Sequence, residues 1–320
     1  MRLDDHNSLR GHIRPEAFDP RQRQAWRESR YQEALSAHHA YSTDRPALLR
    51  VMSDLLRAFV RDTEAIRPGQ RARILDVGSG TGEVSGQLLA ALTPLAGIEY
   101  CGIDKDRAVL ESGHARLRAA TNPDAVISLA AADFSRAGWD EGLGDRHFHM
   151  IWLVHSGYYL EQGHAEFLTT LERLADPDGF MVLIHNPEGH APFRHAAEQL
   201  DLPFQAIRYE RRIVPPTVSA EVFETLATDP GSLDEFSECF AAWPEARALR
   251  LMLEFYLPEY PLEALSGPDR AAYVGHWRQH LASASGRFAN QHEMLVMWPR
   301  RHGQRARAWM QSYFKEHDKP

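Results

Sequence analysis

The sequence predicts an α/β protein, built on a mostly parallel sheet with helices on both faces. Three observations predict it. Between residues 73 and 185 short apolar runs alternate with amphipathic segments, and strands separated by helices need crossovers that pair them in parallel and cover both faces. The first run ends in alternating glycines, Gly78, Gly80 and Gly82, the mark of a tight strand-to-helix turn. The chain has 320 residues, 43% hydrophobic and 25% charged, the composition of a globular protein with a sizeable core.

Residues 1–24 are polar and weakly periodic and read as a loose extension. Residues 25–45 predict a short helix and a loop. The clearest helix is 46–66, where Leu48, Val51, Met52, Leu55, Leu56, Phe59 and Val60 recur on one stripe. Pro46 suits its first turn and Arg67-Pro68-Gly69 stops it. Strands are expected at 73–77, 98–103, 126–130, 148–154 and 180–185, with helices after Gly82 to residue 92 and at 107–118 and 165–174. A strand at 204–214, helices within 219–283 and a strand at 293–298 follow. Ser232 and Glu235 stand at capping-box spacing. The residues from Pro299 are rich in arginine and predict a solvated basic tail.

Charge excludes some functions. A net charge of −8 argues against a nucleic-acid partner. No apolar run approaches a membrane span, and the first residues lack the apolar stretch of a signal peptide. Two cysteines, Cys101 and Cys239, make no disulfide framework, so reduced thiols in a cytoplasmic protein are expected. Monomer and dimer both remain open.

The chemistry sits in Ile74-Leu75-Asp76-Val77-Gly78-Ser79-Gly80-Thr81-Gly82-Glu83. Glycines there turn the chain with positive φ and let a ligand lie against bare backbone. A dinucleotide fingerprint would need glycine where Glu83 stands, and a carboxylate at a helix start opposes a pyrophosphate. No Gly-Lys-Ser or Gly-Lys-Thr follows, so a P-loop fails too. The ligand should lack a pyrophosphate and can be cationic. The second strand ends Gly102-Ile103-Asp104, placing an acid where it can bond two ribose hydroxyls. Asp133 and Phe134 end the third, where an oxygen and a ring can meet adenine.

These residues resemble the class I S-adenosylmethionine-dependent methyltransferases, whose loop has the form D/E-x-G-x-G-x-G. The resemblance spans about residues 70–190. It implies a Rossmann-like seven-stranded sheet with the last strand antiparallel, and S-adenosyl-L-methionine as cofactor. The cofactor residues it implies are Asp76, Gly78, Ser79, Gly80, Gly82, Asp104, Lys105, Asp133, Phe134 and Val154.

Three outer segments resemble the histamine N-methyltransferase group: Tyr31-Gln32-Glu33 leading to Ser42-Thr43, His149 through Leu160, and Asn290-Gln291. By carry-over Glu33, His155 and one of Asn290 or Gln291 face a substrate, although that group has glutamine where this chain has His155; Tyr158 and Tyr159 are expected beside them. The resemblance implies methylation of a small amine or imidazole, histamine-like or histidine-derived. Glu33 would pair with a cationic part of the substrate. His155 would bond the acceptor or pass its proton to water. Tyr158 and Tyr159 offer rings for a cation. An oxygen acceptor, or a module that binds the cofactor without turnover, stays open because fold does not fix the acceptor. No metal is expected: His276 and His280 have helical spacing, but Trp277 breaks the zinc-protease pattern and no third ligand is evident. The expected organisation is a substrate-covering extension at 1–45, a methyltransferase core at 46–214, a pocket-shaping helical insertion at 215–285, the last core strand at 286–298 and the basic tail at 299–320.

Overall fold

A computed structural model of the chain describes residues 19–317, except 64, 68, 161, 186–188, 215, 241–243, 258–259, 284–287 and 302–303. The described residues form two compact units. One runs to Arg45 and includes Glu210–Asn290; the other is Pro46–Tyr209 with the residues from Gln291 onward.

Seven strands make one sheet: β1 (Arg71–Val77), β2 (Gly97–Asp104), β3 (Val126–Ala131), β4 (Phe148–Val154), β5 (Ala175–His185), β6 (Phe204–Ile213) and β7 (Phe288–Met297), in the order β3-β2-β1-β4-β5-β7-β6. β1 pairs in parallel with β2 and β4, β2 with β3, and β4 with β5. β7 runs antiparallel to β5, with His185 opposite Glu293 and Ile184 opposite Met294. This is the Rossmann-like seven-stranded arrangement that the resemblance implies. The strand order reverses between β1 and β4, which opens a crevice at their carboxyl ends.

The sheet is covered on both faces, so β4 reads Phe-His-Met-Ile-Trp-Leu-Val with little polar alternation. Successive residues still serve opposite layers. Ile74, Met150, Trp152, Phe180 and Val182 pack under helices α2 (Asp44–Asp62) and α3 (Glu83–Leu92), with Leu117 of α4 (Arg107–Ala119). Leu75, Ile151, Leu153, Met181 and Leu183 pack on Phe167, Leu168 and Leu171 of α5 (His164–Leu174) and Phe193 of α6 (Ala191–Gln199).

The unit that includes Glu210–Asn290 is mostly helical: α1 (Pro20–Ala40), α7 (Ala220–Thr228), α8 (Leu233–Cys239), α9 (Pro244–Tyr256) and α10 (Gly267–Ser283). The capping box at Ser232 and Glu235 is formed as the spacing predicts. The Trp26 indole donates to Glu254 at 2.9 Å, and Glu254 is paired at 3.0 Å with Arg250, both fully buried. Arg250 also donates to the carbonyl of Pro230 at 2.7 Å, so neither buried charge is left uncompensated.

Three segments depart from expectation. α1 is a single helix of 21 residues, capped by Asp19, which accepts from the Arg21 amide. β5 starts five residues early, at Ala175 rather than residue 180. The basic tail is a correction: residues from 304 form α11 (Gln304–His317), and Trp309, Tyr313 and Phe314 are buried in the core beside Phe59 and Phe180. Behind the arginines, these three residues form an apolar stripe at i, i+4 and i+5 that turns inward. Cys101 is buried and Cys239 exposed, and both are free thiols. Among the described residues no helix is long and apolar enough to cross a membrane.

Candidate active site

The loop between β1 and α3 is built for a close approach. Gly78, Gly80 and Gly82 have φ of 78°, 53° and 65°, a region that side chains with a Cβ resist. Two of them are also closed by packing. A Cβ on Gly78 would strike the Ser156 side chain, and one on Gly82 would lie 2.9 Å from Leu117 Cγ. Around Gly80 nothing lies within 4 Å of that position. Gly80 thus presents bare main chain to open space.

Neighbouring elements hold the loop in place. The amides of Gly78 and Ser79 donate to the Ile103 carbonyl at 2.7 and 2.9 Å. Ser156 Oγ donates to the Val77 carbonyl at 2.7 Å, and Arg116 donates to the Thr81 carbonyl at 2.7 Å. Asp104 Oδ2 accepts from the Gly80 amide at 2.9 Å, while Oδ1 accepts from the Asp106 amide at 3.0 Å. A carboxylate has about four acceptor sites, so capacity for a diol remains.

Asp76 is 2% exposed. Its Oδ2 accepts from Ser85 Oγ, and from Tyr100 OH at 2.7 Å. Burial pushes its carboxyl up to about 6, against the pull of those two donors. Asp76 therefore braces β1, α3 and β2 beneath the loop.

The remaining expected residues spread around the same edge. Lys105 Nζ lies 5.4 Å from the centre of the Tyr159 ring. Asp133 accepts from the amide and hydroxyl of Ser135 at 3.1 and 2.6 Å, and the hydroxyl first holds its carboxyl below the ordinary range. Phe134 is buried and Val154 half-buried. His155 follows β4 directly with φ of 53°, one of two non-glycine residues in the left-handed region among those described. The side chains of Tyr158, Asn290 and Gln291 lie outside the described residues. Glu33 sits on α1, in the other unit, where its carboxylate takes two bonds from Arg247 at 2.6 and 2.9 Å.

A group of histidines at this edge escaped the sequence. His185 ends β5, His190 precedes α6 and His292 lies in β7, all buried. His155 and His292 have ring centres 5.6 Å apart, and His185 and His190 5.9 Å. Neither ring nitrogen of His190 has a hydrogen-bond partner among the described residues, an arrangement costing about 1–3 kcal/mol per buried group. Burial first, then His185, Arg194, His292 and His155, pulls His190 down to about 3, so its ring is neutral. Glu293, 2% exposed, pairs with Arg194, and with Arg208 at 3.4 Å. The signal that could have found the group is a histidine closing each of two apolar runs, His155 and His185, and one just before a third, His292.

No protein-family model and no curated protein matches the chain. Among solved structures it is similar to the YcgJ protein of Bacillus subtilis, at 11% identity over 78% of this chain and 98% of that one, TM-score 0.42. It is similar to a SAM-dependent methyltransferase of Thiobacillus denitrificans in complex with S-adenosyl-L-homocysteine, at 16% identity over 78% and 91%, TM-score 0.39. A TehB-like SAM-dependent methyltransferase of Corynebacterium glutamicum gives 22% identity over 47% and 76%, TM-score 0.34. The fold assignment itself rests on the strand order and register described above.

Proposed function

We propose that the chain is an S-adenosyl-L-methionine-dependent methyltransferase that methylates a nitrogen of a small amine or imidazole. The observation that carries this is the open main chain of Gly80, bonded to Asp104 at the carboxyl edge of the sheet, beside the point where strand order reverses. The bound cofactor supplies a methyl group on a sulfonium. Gly80 lets a ligand reach bare backbone, and Asp104 has acceptor capacity left for ribose hydroxyls. Glu83 at the start of α3 disfavours a pyrophosphate and tolerates a cation. Asp133 and Phe134 flank the adenine end, and Ser79, Gly78, Gly82, Lys105 and Val154 complete the wall.

His155 carries the acceptor side. Left-handed backbone on a non-glycine residue costs about 1–3 kcal/mol and persists where function needs it. An attacking nitrogen must be neutral and in line, and holding that geometry supplies most of the acceleration. His155 accepts or relays the proton that the nitrogen gives up. Tyr159, 39% exposed, offers a ring face for a cationic group.

Calorimetry with S-adenosyl-L-homocysteine, followed by product mass spectrometry on a panel of amines and imidazoles, tests this. We expect saturable binding and an N-methylated product. His155→Ala should lower turnover at least tenfold and leave cofactor affinity within twofold. Absence of heat with both the cofactor and its demethylated product ends the methyltransferase proposal. A product methylated on oxygen moves the acceptor class and keeps the donor.

A further inference from the structure

We propose that His155 and His292 bind a divalent first-row transition-metal ion, within a pocket of imidazoles at the carboxyl edge of the sheet. The fold creates the pair. Val154, the last residue of β4, is opposite Ile184 in β5, and antiparallel β7 sets His185 opposite Glu293. The residues next to these positions, His155, His185 and His292, therefore converge from distant parts of the chain. A ring nitrogen of His155 and one of His292 lie within 4.8 Å of each other. Two imidazoles sharing one ion, each about 2.0–2.1 Å from it, stand about 3–4 Å apart, a separation that falls inside this bound.

A second observation points to a ligand. His190, fully buried, has both ring nitrogens without a hydrogen-bond partner among the described residues. His190 is tied to this edge by the His185 ring, centred 5.9 Å from its own. Its Nδ1 lies 3.4 Å from Glu293 Oε1, and Glu293 is held in turn by Arg194 and Arg208. Metal-bound imidazoles are commonly backed by such carboxylates and by buried groups that fix the rings. The donor set selects the ion: imidazole suits zinc, cobalt, nickel, copper and iron, whereas magnesium and calcium demand oxygens. Two protein ligands leave positions for water or a bound substrate.

This inference goes beyond methyl transfer: an ion on His155 takes the lone pair that proton relay needs, so loaded protein is expected to turn over more slowly, and binding itself is tested without the methyl donor. Untagged full-length protein is titrated with zinc chloride and with cobalt chloride. We expect saturable binding of one ion, with cobalt absorption bands in the visible range. His155→Ala and His292→Ala should each weaken binding at least tenfold. The His276→Ala, His280→Ala double variant, altered on α10, should bind as the parent does. X-ray absorption on the zinc-loaded parent should show at least two imidazole ligands, a readout that needs no variant to fold. Lack of saturable binding, fewer than two imidazoles, or unchanged affinity in a folded His155→Ala, His292→Ala double variant would overturn the site. So would loss of binding in the α10 variant.

Discussion

The Gly80 amide donates to Asp104 Oδ2 at 2.9 Å, so the one uncrowded glycine of the loop and the acid ending β2 form a single structural unit. Asp104→Ala removes both the loop brace and the grip proposed for the sugar. S-adenosyl-L-homocysteine affinity should fall at least tenfold, about 1.4 kcal/mol, read by calorimetry. Asp104→Asn keeps an acceptor for Gly80 and should fall between the two.

The glycines of the loop should respond differently to the same substitution. Gly78→Ala drives a methyl into Ser156 and should lower the melting temperature sharply. Gly80→Ala meets nothing in the protein and bears only the cost of its φ, about 1–2 kcal/mol. Its methyl nevertheless occupies the face offered to the ligand. We expect a folded Gly80→Ala protein with cofactor affinity reduced tenfold or more, shown by thermal melting and calorimetry on the same samples.

Asp76 predicts a pH dependence of stability. Its folded carboxyl is raised from 3.8 to about 6, so between these values the folded state holds more protons than the unfolded chain. Stability is therefore favoured below pH 4 by this group and lost as pH rises toward 6, by about 3 kcal/mol at most. Asp76→Asn retains an oxygen for Ser85 and Tyr100 and removes the titration. Urea unfolding at pH 4, 5, 6 and 7 should show the parent losing stability relative to Asp76→Asn across that interval, with a constant difference above it.

Trp309 packs edge-on against Phe59 with ring centres 5.4 Å apart and is 6% exposed. Trp309→Ala should cost about 3–5 kcal/mol, measured by chemical denaturation. A solvated tail would show no change.

Glu33 is anchored within its own unit by Arg247. Its side chain is 48% exposed, and the Arg247 bond holds its carboxyl below the ordinary range. Glu33→Gln should then cost under about 1 kcal/mol of stability. Chemical denaturation of parent and variant side by side checks this.

The parts of this fold written in local spacing were legible. β4 is legible to the residue, and β1, β2 and β3 to within two, because continuous apolar runs bounded by turns leave little choice. Asp104 and the glycines could be placed beside each other because strand ends in a parallel sheet lie at one edge. Glu33 and Arg247, by contrast, meet across more than two hundred residues, and a one-dimensional pattern carries no trace of that. His292 was passed over for the same reason: only the antiparallel return of β7 brings it to His155. α11 was missed because four arginines near its start outweighed Trp309, Tyr313 and Phe314.

The place of β7 bears on how the chain matures during synthesis. It lies between β5 and β6 in space but is made long after both. At about 5–20 residues per second, translation from Ile213 to Phe288 takes roughly 4–15 s. Throughout that interval the emerging polypeptide carries two unzipped strand margins, the kind of surface that templates aggregation and that chaperones exist to shield.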